Sequence, residues 1–231
     1  MIITDDNFSS IVAGIEEGRC AYANIRKVEY FLLSCGISEV MLFILSIIFN
    51  LELPLLAIQL LWLNLVTDGI QDISLSFEKQ EEDVMTKKPR DVNEKIFNKL
   101  LIKEILTSGM YIGIMSFLFW LFISNKGLDI KVARSYLMLF VVFLQNIHTF
   151  NCRSETKSLF KLPFKNNYII YIGIFLTLSI QLIVSNIPYL SHILHLEVIP
   201  PKVVLINFLL ALPVILIMEV FKLINKKSIK E

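Results

Sequence analysis

Six apolar runs, each close to the length of a bilayer's hydrocarbon core, govern what this chain of 231 residues can fold into. A helix needs about 20 apolar residues to cross. Backbone N–H and C=O groups in lipid must pair within their own segment, so such runs become helices. The runs are Tyr30–Phe49, Leu51–Leu63 with the helical stretch continuing to Phe77, Leu100–Ser124, Ala133–Phe150, Tyr168–Asn186, and a last one opened by Pro200 or Pro201 and ending near Phe221. With 55% hydrophobic and 19% charged residues, the chain is too apolar for an ordinary soluble domain. The expected fold is an all-α membrane protein, a six-helix transmembrane bundle whose main partner is the lipid bilayer. A net charge of +1 with no basic face argues against nucleic acid.

The second run has an unusual composition. Asn64, Thr67, Asp68 and Gln71 follow at spacings of three and four, which predicts one polar stripe along a helix in hydrocarbon. A carboxylate there costs at least a few kcal/mol and is kept where it faces a partner, a cavity or an ion. All four side chains offer oxygen, which suits hard cations such as calcium, magnesium, sodium or protons rather than zinc or copper. Asp68-Gly69 is expected to break the helix and free backbone carbonyls for an ion. Polar glue between helices is the bland alternative, favoured by Asn, Gln and Thr but not by Asp68.

Glu39, in Ser34-Cys-Gly-Ile-Ser-Glu-Val40, is the one acid of the first run and sits too near its middle to snorkel, so it is expected to face inward. The short link Asn50–Leu53 makes these two helices antiparallel neighbours. Gly109 and Gly113 have the spacing that allows close helix approach. Gln145, Asn146 and His148 sit near the end of the fourth run; Gln145 reads equally as a ligand or as glue, and His148 as an interface residue. His192 and His195 lack a third ligand and read as surface residues. Cys20, Cys35 and Cys152 show no metal or redox spacing. Residues 1–28 predict a non-spanning segment, with a short strand at Met1–Thr4, an Asp5 or Asp6 cap and an amphipathic helix carrying Phe8, Ile11, Val12 and Ile15. That polar start does not resemble a cleavable signal peptide. Glu219 and Lys222, closing the last run, read as structural. The basic residues gather in loops 78–99 and 151–167 and in the tail, which places both termini in the cytosol, with Lys126, Lys131 and Arg134 as the exception.

Asn64-Leu-Val-Thr-Asp-Gly69 resembles the sixth transmembrane helix of P-type cation-transporting ATPases, especially the calcium-pump branch. Thr4-Asp-Asp-Asn-Phe-Ser-Ser-Ile11 resembles the end of that family's phosphorylation domain, and Glu16-Glu-Gly-Arg19 with Tyr22 and Asn24 its stalk. Asp83-Val-Met-Thr-Lys-Lys-Pro-Arg90 resembles the loop after the sixth span. The resemblance implies a division into residues 1–28 (end of phosphorylation domain and stalk), 29–224 (spans five to ten) and 225–231 (cytosolic tail). It implies that Glu39, Asn64, Thr67 and Asp68 ligate a transported cation, with Gln145 at the periphery. Calcium leads; sodium, manganese and proton countertransport also suit two carboxylates. Gly36 and Gln145 stand where the family has ligands of a second calcium site, which implies one ion. Gln71 stands where proline is frequent.

The sequence contains no Asp-Lys-Thr-Gly phosphorylation motif and no Thr-Gly-Asp-Gly hinge. The resemblance therefore implies the transport half of a truncated pump, in the plasma membrane and inactive alone. ATP and magnesium would act only through missing domains, and the partners would be the actuator, nucleotide-binding and phosphorylation domains and spans one to four. A free-standing six-span channel or carrier and a non-catalytic assembly subunit are the alternatives; the stalk-like start argues against a channel.

Overall fold

Asn7 starts the first helix: its Oδ1 accepts from Ser9 N at 3.0 Å, satisfying one of the open amides of the first turn. The cap is thus Asn7, whereas Asp5, Asp6 and the strand expected at Met1–Thr4 lie outside the described residues. The computed structural model describes residues 7–79, 85–86, 96–163, 165 and 167–225. Helix α1 runs unbroken from Phe8 to Ile48, 41 residues or about 60 Å at 1.5 Å per residue, twice a hydrocarbon core. Its first half is the amphipathic segment expected as a stalk, hereafter the stalk, and its second half is the first apolar run.

The chain turns back within a few residues. Asn50 takes φ 52°, a left-handed conformation that asparagine tolerates, and Leu51 N bonds Ser46 O at 2.9 Å. The return rod has three parts: α2 (Ala57–Trp62), a π-helical stretch at Leu63–Asp68, and α3 (Gly69–Ser76). Gly69 is regular helix, with φ −58° and ψ −39°. The break expected at Asp68-Gly69 is therefore not there. The irregularity is the stretch Leu63–Asp68 leading up to Gly69, where i→i+5 bonding widens the helix instead of interrupting it.

Helices α4 (Lys99–Ser124), α5 (Ile130–Cys152), α6 (Tyr168–Asn186), α7 (Pro188–Ile193), α8 (Pro201–Ala211) and α9 (Pro213–Ile224) complete the bundle. Among the described residues no strand occurs, and five helices or helix pairs are long and apolar enough to cross a membrane: α1, α4, α5, α6 and α8–α9. The sixth expected crossing is the segmented rod from Ala57 to Ser76. Pro213 divides the last run in two, since proline opens a new helix but cannot continue an old one. Gly127 turns the α4–α5 link at φ 66°.

Helix α5 is the buried centre, with Leu137 to Leu144 almost wholly enclosed. The longest interface joins α1 to α4. A Cβ on Gly109 would lie 2.9 Å from Ser34 O and Ile37 Cβ, and one on Gly113 2.7 Å from Met41 Cβ. Only glycine permits that approach, as the spacing predicts.

One end of the bundle gathers the stalk and the chain's charged links. Asn24 Nδ2 bonds the carbonyls of Ser76 (3.0 Å) and Glu78 (2.8 Å). Arg26 pairs with Glu155 through two nitrogens at 2.8 and 2.7 Å. Arg153 and Glu78 form a buried ion pair at 2.9 Å. Lys222 Nζ reaches the carbonyls of Asn151 and Lys157, and Glu219 accepts from Leu159 N at 2.8 Å. These two residues are structural, as expected. At the other end Trp120 Nε1 donates to Glu52 O and Arg134 to Leu53 O.

Candidate ion-binding site

Glu39 on α1 and Asn64 on the π-helical stretch meet across the interface. Asn64 Nδ2 donates to Glu39 Oε2 at 3.1 Å and Oε1 at 3.4 Å, and to Leu60 O at 3.0 Å. Thr67 and Asp68 turn inward and are each 1% exposed, whereas Asn64 is exposed and Glu39 half-buried. The predicted stripe is therefore split. The π-turn changes the angular phase between Asn64 and Thr67, so the amide points outward while the hydroxyl and carboxylate point in.

Asp68 is the outstanding group. Both carboxylate oxygens are buried and neither has a hydrogen-bond partner. The acids near enough to act on it are Glu39 and Asp72, both of like charge. A buried carboxylate left like this costs several kcal/mol unless something satisfies it. Gln145 on α5 is fully buried and faces Glu39, yet no donor–acceptor pair closes to hydrogen-bond distance, and both its amide atoms are unpartnered. Oxygen donors on three sides of α1, the π-helical stretch and α5 thus stand without partners or bound only to one another.

Gln71 behaves differently from the other stripe members. Its Nε2 donates to Asn146 Oδ1 at 2.7 Å, and Thr177 Oγ1 donates to the same oxygen at 2.8 Å. This knot ties α3 to α5 and α6, so Gln71 is helix glue. His148 is fully enclosed, 3.3 Å from Cys152 Sγ and edge-on to Tyr30 at 5.2 Å between ring centres, an interface residue as expected. His192 and His195 are exposed. Among the described residues no three His, Cys, Asp or Glu side chains converge on one point. A site here must add amide and hydroxyl oxygens to its carboxylates.

Three features escaped the sequence reading. Glu104 on α4 is fully buried with both oxygens unpartnered. Its signal was the same as that of Glu39, one acid inside an apolar run. Asp72 has its Oδ1 buried and unpartnered, and its spacing of four from Asp68 was visible in the sequence. Glu78 and Arg153, which lie in the two links expected to be loops, are buried against each other, and no local pattern announces a pairing across 75 residues.

The sequence matches the family described as cation transporting ATPase, C-terminus, over residues 52–224. The chain belongs to that family. It is 35% identical to a calcium-transporting ATPase of Bacillus subtilis over 202 residues, covering 87% of this chain and 23% of the relative. It is 33% identical to the mouse calcium-transporting ATPase type 2C member 2, covering 98% and 24%. With calcium-transporting ATPase 1 of Saccharomyces cerevisiae the identity is 33%, covering 100% and 24%. The chain spans about a quarter of the length of these relatives. As a cation-ATPase carboxy-terminal region it is a multi-pass membrane bundle, and the site just described lies between its first three helical segments and α5.

Proposed function

We propose that this chain is the ion-translocating membrane part of an ATP-driven calcium pump. Glu39, Asn64, Thr67 and Asp68 hold one calcium ion, and Gln145 lies at the edge of its shell. The observation that carries the reading is Asp68, sealed from the surface with both oxygens unpartnered. Calcium takes six to eight oxygens from carboxylates, amide or backbone carbonyls and water. A cation entering between Glu39 and Asp68 relieves the repulsion of the two carboxylates and replaces the amide donors that Asn64 now offers. Helices outside this chain complete the coordination, so the chain alone holds calcium weakly or not at all. The similarity of nearly its full length to calcium-transporting ATPases supports calcium over sodium or manganese.

The motor lies elsewhere. ATP, magnesium and phosphoryl transfer belong to the actuator, nucleotide-binding and phosphorylation domains of the whole pump, and the stalk half of α1 joins this bundle to them. The basic links at the stalk end support a cytosolic position for that end, with both termini on that side, in a pump we assign to the plasma membrane. In the assembled pump, Asp68→Asn abolishes calcium-dependent phosphoenzyme formation, whereas Gln145→Ala only weakens it. Ordinary calcium dependence in the Asp68→Asn pump would show that the stripe is helix glue.

A further inference from the structure

Asp68 is sealed, but the two acids beside it are not: Glu39 and Asp72 are each half-buried. Glu39 approaches Asp68 from α1. Asp72 follows on α3, four residues nearer the stalk end, where Ser76 and Glu78 are tied to Asn24. Residues four apart on a helix stand over one another with Cβ atoms about 5–6 Å apart. That separation lies within reach of one cation's coordination sphere, since calcium–oxygen distances are about 2.3–2.6 Å.

Asp72 has no packing duty that explains it. Helix α3 is fastened by its neighbours: Gln71 to Asn146, Ser74 O to Asn167 Nδ2, and Gly173 of α6 in close contact with Ser74 Oγ. Asp72 Oδ1 is buried with no donor, while the residue as a whole is half-buried. An acid in this setting is retained where a cation arrives.

We propose that Asp72 is a cation-binding carboxylate on the stalk side of Asp68, receiving the same hard divalent ion and passing it directly between the stalk-end surface and the sealed centre. This rests on the reading of Asp68 as an ion ligand. The close spacing means that the ion exchanges one carboxylate for the other without lying bare in hydrocarbon.

The test uses the assembled pump in lipid nanodiscs, labelled with dicyclohexylcarbodiimide, which attacks carboxyl groups in apolar surroundings. Mass spectrometry reads Asp68 and Asp72 separately while calcium is raised until labelling stops changing, with circular dichroism to check helicity. Both residues should be labelled without calcium and both protected several-fold with it. In Asp72→Asn, protection of Asp68 should need several-fold more calcium. Protection of Asp68 alone, or no labelling of Asp72 without calcium, overturns the role of Asp72 and leaves the ion site standing. Protection of Asp72 alone overturns the transfer between them. Protection of neither removes the ion site itself.

Discussion

Replacing Arg153 with methionine should cost far more than loss of an ordinary loop charge. Arg153 is 2% exposed, and its Nε and Nη2 lie 3.1 and 2.9 Å from the carboxylate oxygens of Glu78, itself 4% exposed. Without the guanidinium, Glu78 keeps one side-chain donor, Asn167 Nδ2 at 3.1 Å. Breaking a buried pair on one side costs about 3–5 kcal/mol, because the surviving charge is left uncompensated. An exposed pair would cost about 0–1 kcal/mol. The assay is equilibrium unfolding in mixed lipid–detergent micelles, followed by helical circular dichroism. Arg153→Met should lose about 3–5 kcal/mol. Adding Glu78→Gln should return most of that, because a neutral amide still accepts from Asn167. The coupling from the complete cycle should then approach the upper end of the range for contacting residues, about 3 kcal/mol. A loss below about 1 kcal/mol in Arg153→Met, or no recovery in the double variant, would refute the claim that the pair is sealed.

Two further substitutions test the packing by the same unfolding assay. Gly113→Ala places a Cβ 2.7 Å from Met41 Cβ and 2.9 Å from the Ser38 carbonyl, and should destabilise by about 1–3 kcal/mol despite alanine's better helix propensity; Gly18→Ala, with nothing within 4 Å, should gain up to about 1 kcal/mol. Glu104→Met should raise stability by about 1–3 kcal/mol, since it removes two buried oxygens that lack donors, and a loss would show that Glu104 has a donor.

The apolar runs announced the helices because membrane spans need little besides length and hydrophobicity. Tyr168–Asn186 is the clearest case, with both ends as expected. Glycine spacing announced the α1–α4 contact for a similar reason, since close approach has one cheap chemical solution. The pairing of Glu39 with Asn64 was legible from a short link and two polar residues in hydrocarbon. The π-turn was not, because Leu63–Asp68 contains no residue type that demands it. Its position depends on how α2 and α3 are held: Gln59 Nε2 on Leu194 O, Trp62 Nε1 on Gln181, Gln71 on Asn146. These are contacts across 75 to 135 residues, and they exist only once the bundle has formed. The burial of Glu78 and Arg153 was hidden for the same reason.

The continuity of α1 connects these observations. Arg26 and Glu39 stand on one uninterrupted helix, thirteen residues and about 20 Å apart. At Arg26 the helix is clasped by Glu155 and the Ile96 carbonyl, and at Asn24 by the end of α3. At Glu39 the helix meets the returning rod through Asn64, whose Nδ2 donates to the Glu39 carboxylate. A close-packed helix transmits a shift along its axis rather than absorbing it, and the glycine contacts with α4 leave little room for bending. Release of the stalk clasp would therefore be felt at Glu39 as a displacement against Asp68, which is fixed separately by the ties of α2 and α3 to α5 and α6. The π-turn carries the Glu39 contact and lies between the ties of α2 and those of α3, where a small change in helical winding moves Asn64 and Asp68 by different amounts. On the proposed ion-binding role, the geometry of Glu39 and Asp68 depends on the relative position of two separately packed segments, and that is the condition for an affinity that changes with the position of α1.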